Sequence, residues 1–192
     1  SLGGKARGLA FANNLLKNKD LESKYPDTTI RVPKIAVIGT DEFDEFMNIN
    51  RLWKIAFDAK KSDKSITKAF LKASLSKNLS STLTNYLNSV KFPVAVRSSS
   101  LLEDSQYQPL AGMYSTYMLA NKSKSKSVRL GELEKAIKLV YASTFLNEPK
   151  TLIDASVHHH EEEKMAVIIM ELVGKRHGDI FYPTASGLAQ SF

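Results

Sequence analysis

Hydrophobic positions along this chain alternate between two spacings, and the changes of spacing mark its elements. Leu9, Ala12, Leu15 and Leu16 recur at helical intervals and predict a helix over Ala6 to Leu16, which sets Gly3-Gly4-Lys5 at its N-terminus. Tyr25-Pro26-Asp27 reads as a turn, and Ile30 to Ile38 as a short extended segment interrupted by Pro33. Thr40 offers an N-cap followed by acids, so Asp41 to Asn48 is expected to be a helix with Phe43, Phe46 and Met47 inward. From Leu52 to Leu87 the pattern stays helical, broken at Lys60 to Lys64 and near Lys77-Asn78. Ser62 or Asp63 can cap a helix carrying Ile66, Ala69, Phe70 and Ala73, and a further helix carries Leu79, Leu83, Tyr86, Leu87 and Val90.

The second half changes period. Pro93 to Val96 predicts a buried strand, Met113 to Leu119 another, and Met165 to Val173 the strongest strand of the chain. Between them, Ser127 to Phe145 predicts an amphipathic helix with Leu130, Leu133, Ile137, Val140 and Tyr141 on one face. Gly174 to Gly178 reads as a turn into Asp179 to Tyr182. Helix, strand, several helices, then strands around one long helix point to an α+β or α/β two-layer lobe, with no internal repeat. The end at Ala189 to Phe192 still reads as strand, as expected of part of a larger protein.

Composition narrows this picture slightly. At 192 residues and 43% hydrophobic, the chain can bury a substantial core, and without cysteine it has no disulfides, thiolate metal sites or cysteine nucleophiles. The apolar runs are far shorter than the ~20 residues of a membrane span, and no signal pattern is visible, so a cytoplasmic protein with no membrane partner is expected. The formal charge of +7 suits polyanionic partners such as nucleotides. A nucleic-acid partner is not expected, because the lysines look scattered, form no evident stripe and have no interleaved aromatics in Lys122 to Lys126.

Four stretches could carry chemistry. Arg97 leaves a buried strand into Ser98-Ser99-Ser100, where a guanidinium can fork onto phosphate oxygens or pair internally with Glu103 or Asp104. Lys5, behind two glycines at a helix start, is a second phosphate ligand or an exposed lysine near the chain end. Ala111 to Thr116 is a hairpin turn or a loop presenting backbone N-H groups and a hydroxyl to phosphate. Met170-Glu171-Leu172-Val173 is a core strand leaving its sheet or a slot for an adenine ring. His158 to His160, followed by Glu161 to Glu163, reads as a solvated loop, since adjacent histidines on an extended loop cannot all face one ion.

Taken in order, "GGKARGLAF", "PVAVRSSSLLEDSQYQPLAGMYSTY", "EEEKMAVIIMELVG" and "FYPTASGLAQSF" resemble the N-terminal nucleotide-binding domain of the phosphoenolpyruvate synthase and pyruvate phosphate dikinase family. The likeness runs from Gly3 to Phe192 and is most specific between Arg97 and Gly112. It implies an ATP-grasp-type fold, with residues 1–192 as a partial domain, its N-terminal lobe, and about 41–91 as a mainly helical insert. It also implies binding of ATP with Mg2+ and passage of a phosphoryl group to a histidine on a separate domain, then to pyruvate on a third. The implied partners are therefore ATP and the histidine and pyruvate/phosphoenolpyruvate domains of the same full-length protein.

Motif for motif, the resemblance gives Lys5 and Arg97 the triphosphate and a catalytic part, with Ser98 beside them. Gly112, Met113, Tyr114, Ser115 and Thr116 become the loop over the phosphates, and Met170, Glu171 and Leu172 the hinge that meets the adenine edge through its backbone. No metal ligand falls within the chain on this reading, and the chain alone is expected to be inactive and to bind nucleotide weakly. Three positions depart from the family: Ala6 follows the lysine in place of glycine, and Met113 and Met170 stand where glutamine is common. These departures motivate the alternative of a nucleotide-sensing module that keeps the fold without transfer chemistry.

Overall fold

In a computed structural model, which describes residues 1–19, 21–100, 114–147 and 164–188, the strongest apolar segment becomes the centre of a sheet. That segment is β4 (Met165–Glu171), and it pairs antiparallel with β1 (Ile35–Ile38) on one side and β2 (Val94–Ser100) on the other. The last strand, β3 (Thr116–Leu119), pairs antiparallel with β2 and forms an edge, giving the order β1-β4-β2-β3. The fold is thus α+β with an antiparallel sheet.

Alternation along these strands divides the sheet into two faces. Val94, Val96, Val167 and Ile169 point one way and join Phe43, Phe46, Phe70, Leu133, Ile137, Val140 and Tyr141 in a single hydrophobic core. That core lies between the sheet and helices α3 (Thr40–Ile49), α4 (Trp53–Ala56), α5 (Asp63–Lys72), α6 (Lys77–Ser89) and α7 (Lys126–Ser143). Aromatic rings knit the layer: Phe43 meets Tyr141 edge-on at 5.1 Å and stacks with Phe145 at 6.1 Å. The opposite face carries Ala95, Arg97, Ile168 and Met170, and helix α1 (Gly3–Lys17) packs on it. A short helix, α2 (Leu21–Lys24), follows α1.

Several expectations shift by a residue or two for identifiable reasons. Helix α3 begins at Thr40 itself, with Gly39 in the cap position and no side-chain cap. Ser62 does cap α5, its Oγ accepting from the Ser65 amide, and Ser76 caps α6 through the Leu79 amide at 3.1 Å. Strand β2 does not stop at Val96 but runs to Ser100, because Ser98, Ser99 and Ser100 pair with Val167, Ala166 and Met165. The segment expected to be a turn over Gly174 to Gly178 contains a strand: β5 (Lys175–His177) pairs with β6 (Ile180–Tyr182). The reversal sits at Gly178, whose φ of +62° suits glycine, and His177 stacks on Tyr182 at 4.1 Å.

Two placements are harder to anticipate. Arg129 is buried at 4% exposure among the helices, where its guanidinium donates to the carbonyls of Leu87 and Val90 at the end of α6 and to Asn121 Oδ1. A cation is favoured at a helix C-terminus, where it meets unpaired carbonyls. The lysines of the helical region are also less scattered than expected: Lys64, Lys68 and Lys72 are all exposed and follow one another along α5 at four-residue intervals, away from buried Ile66 and Phe70. Among the described residues no helix is long and apolar enough to cross a membrane.

Candidate functional site

The start of α1 is fastened to the end of β2. Ser99 Oγ accepts from the Ala6 amide at 3.1 Å and donates to the Leu2 carbonyl at 2.9 Å, so one hydroxyl ties two points of the first turn to the strand. Gly3, with φ of +71°, lies directly on the Ser99 backbone, where a β-carbon would overlap the Ser99 carbonyl. This glycine is a matter of close approach and of backbone conformation at once.

That attachment brings Lys5 to Arg97. Lys5, Gly8 and Leu9 from α1 and Arg97, Ile168 and Met170 from the sheet line one pocket of about 320 Å³. Lys5 Nζ donates to Ser98 Oγ at 3.5 Å, and Ser98 is itself buried at 1% exposure. Arg97 Nε is buried and has no acceptor among the described residues. A buried donor left without an acceptor is costly, and it marks a position that a ligand can satisfy. Glu103 and Asp104, the internal partners considered for Arg97, lie outside the described residues, as do Gly112 and Met113.

The rest of the expected phosphate loop is anchored in the fold. Tyr114 is 5% exposed and packs in the hydrophobic core, the Ser115 amide donates to Ser143 Oγ at 3.3 Å, and Thr116 opens β3 directly opposite Arg97. The Tyr114 side chain therefore faces the helices and not the pocket.

At the other end of β4 the backbone is largely spoken for. The Glu171 amide donates to the Lys34 carbonyl at 2.8 Å and the Leu172 amide to the Pro93 carbonyl at 2.9 Å. Both amides of the expected hinge are thus already paired. Opposite residues in such an antiparallel pair normally exchange two bonds, but proline has no N-H, so Pro93 leaves the Leu172 carbonyl without its ladder donor. Pro93 and Leu172 border a cleft of about 370 Å³, together with Met118, Leu119, Ile180 and Phe181.

The Glu171 side chain has a separate task. Its carboxylate accepts from Arg31 Nη1 at 2.8 Å, Arg31 Nη2 at 3.0 Å and the Lys34 amide at 3.1 Å. The hydrogen bond from Arg31 is the main reason its pKa is held below the ordinary carboxylate range, against the opposing effect of burial. Arg31 carried no signal in the sequence, because a lone arginine in a short extended segment has no neighbour in the chain that marks its partner. Among the described residues no group of three His, Asp or Glu side chains is placed to hold a cation.

A search among curated proteins gives no match. Residues 1–192 match the family described as pyruvate phosphate dikinase, AMP/ATP-binding domain, and the chain belongs to that family.

Proposed function

We propose that this chain is the first lobe of an ATP-grasp-type clasp and that strand β2 is the ruler along which ATP lies. The observation that carries the reading is the meeting of Lys5 with Arg97, whose buried Nε has no acceptor among the described residues. A triphosphate there would receive a bidentate guanidinium and an ammonium, which neutralise its charge and favour the charge that develops during phosphoryl transfer. Ser98 and the end of β3 at Thr116 border this end, with the residues around Gly112 as the loop over the phosphates.

The base would lie at the opposite end of the strand, in the cleft beside Pro93 and Leu172. Pro93 and Arg97 are four positions apart, a span of about 13 Å in extended chain, which an extended nucleoside triphosphate matches. At that end the Leu172 carbonyl, which lacks its ladder donor, would accept from the exocyclic amino group of adenine, whereas guanine would set its own carbonyl oxygen against it. Met170 and Met118 flank Ala95 in one cross-strand row between the two ends, so apolar side chains floor the path that the ribose and base would cross. Mg2+ would enter as the companion of the triphosphate, supplying charge neutralisation.

In the full-length protein the phosphoryl group would pass to a histidine on another domain and from there to pyruvate. Titration calorimetry with ATP and Mg2+ on the full-length protein and on its Arg97→Ala variant tests the site. A loss of about 2 kcal/mol, roughly thirtyfold in Kd, is expected when a charged hydrogen bond to phosphate is removed. Equal binding by the two proteins would overturn it.

A further inference from the structure

We infer that Arg31 is a positioning residue for base selection, acting through Glu171 to hold the end of β4 where the Leu172 carbonyl faces the base. The role rests on the base lying at the Pro93 and Leu172 end, as proposed above. Its physical ground is the unequal way this end of β4 is held on its two sides. Towards β2, Leu172 has a single bond, from its amide to the Pro93 carbonyl, because Pro93 can return none. Towards residues 31–34, Glu171 has four: its amide to the Lys34 carbonyl, and its carboxylate from the Lys34 amide and from both arms of Arg31. The strand end is therefore fixed from the Arg31 side.

The pairing of atoms makes the arrangement specific. In a regular antiparallel pair the Lys34 amide would bond to the Glu171 carbonyl. Here it bonds instead to Glu171 Oε2, which the guanidinium holds in place through a bidentate fork. Without Arg31 the carboxylate loses the fork that fixes its orientation, and the Lys34 amide can return to the ordinary ladder partner. The backbone of Glu171 and Leu172 then settles differently, and the acceptor presented to the base moves. Neither Arg31 nor Glu171 lines the pocket that holds Lys5 and Arg97. The grip on phosphate is accordingly independent of this clasp.

Calorimetry with ATP, GTP and inorganic tripolyphosphate, each with Mg2+, separates the two ends. Arg31→Ala is expected to leave tripolyphosphate binding unchanged and to lower the preference for ATP over GTP about tenfold, because a recognising polar group is misplaced. Arg31→Lys, which keeps the charge but loses the fork, should recover only part, and Glu171→Gln should behave as Arg31→Ala does. An ATP preference unchanged in Arg31→Ala, absent from the wild type, or lost in equal proportion with tripolyphosphate binding would overturn the role. Failure of the full-length wild type to bind ATP, or Arg97→Ala binding as well as wild type, would remove the site itself and is seen before any Arg31 variant is measured.

Discussion

Gly3 rests on Ser99 with no room for a side chain: a β-carbon on this glycine would overlap the Ser99 carbonyl and lie 2.6 Å from its hydroxyl. The obstruction is backbone, so no rotamer change relieves it, and the φ of +71° adds strain for any other residue. Gly3→Ala should displace the first turn of α1, break the Ser99 bonds to Leu2 and Ala6, and destabilise the protein by about 2–3 kcal/mol. Because Lys5 moves with that turn, ATP affinity should fall too. Urea denaturation beside ATP titration checks both, and an unchanged midpoint would show that α1 is not fastened as described.

Pro93 lends itself to the reverse experiment. Pro93→Ala restores an N-H opposite the Leu172 carbonyl and allows the second bond of the pair to form. The expected outcome is a strand end as stable as before or more so, with weaker ATP binding and unchanged tripolyphosphate binding. Calorimetry and thermal melting on the same variant decide it, since a rise in ATP affinity would contradict an acceptor role for that carbonyl.

Tyr141 is fully buried between Phe43 and Phe46, and its hydroxyl has no partner among the described residues. Burial, with Glu42 and Asp41 adding to it, pushes the phenol well above its ordinary value, so it stays neutral at any working pH. Tyr141→Phe removes an unpaired polar atom without changing the ring. It should stabilise the fold by about 1 kcal/mol, which for a chain of this size raises Tm by roughly 2–4 °C. A lower Tm would mean that the hydroxyl is satisfied in solution.

Acid should open the Arg31 clasp. The Glu171 carboxyl is lowered in the folded state, so its contribution to stability is full above the ordinary carboxylate value and is lost as pH falls through the lowered folded one. The stability difference between wild type and Glu171→Gln should therefore be constant at neutral pH and shrink only in the acid range, at or below about pH 4. Chemical denaturation of both proteins from pH 3 to 7 tests this, and a difference that persists at the acid end would show that charge on Glu171 does not matter.

How much of this was legible in the sequence depends on the range of the interaction. Hydrophobic period located α3, α5, α6, α7 and the longer strands within a few residues, and for α5 a cap did so too, since Ser62 acts on an amide three residues away. The β5 and β6 hairpin was misread because Lys175, Arg176 and His177 lack any apolar pattern, and their pairing depends on the partner strand. Arg97 and Lys5 stood out as cations beside glycine or serine, but their convergence in one pocket depends on Ser99 and Gly3, which lie 96 positions apart. Arg129 and Arg31 gave no local sign at all. Their partners are the carbonyls of α6 and the carboxylate of Glu171, 140 residues from Arg31, and no periodicity encodes such meetings.

Strands β2 and β4 carry core and pocket residues on alternating positions, and this limits how the gene can change. One residue inserted between Ala95 and Arg97 would turn the guanidinium into the hydrophobic layer and send an aliphatic neighbour out to the pocket. Foldability and the site would be lost in the same event. Descendants of this sequence can therefore lengthen or shorten only outside these two strands, and must vary the pocket by point substitution on one parity of positions, leaving the other parity to the core.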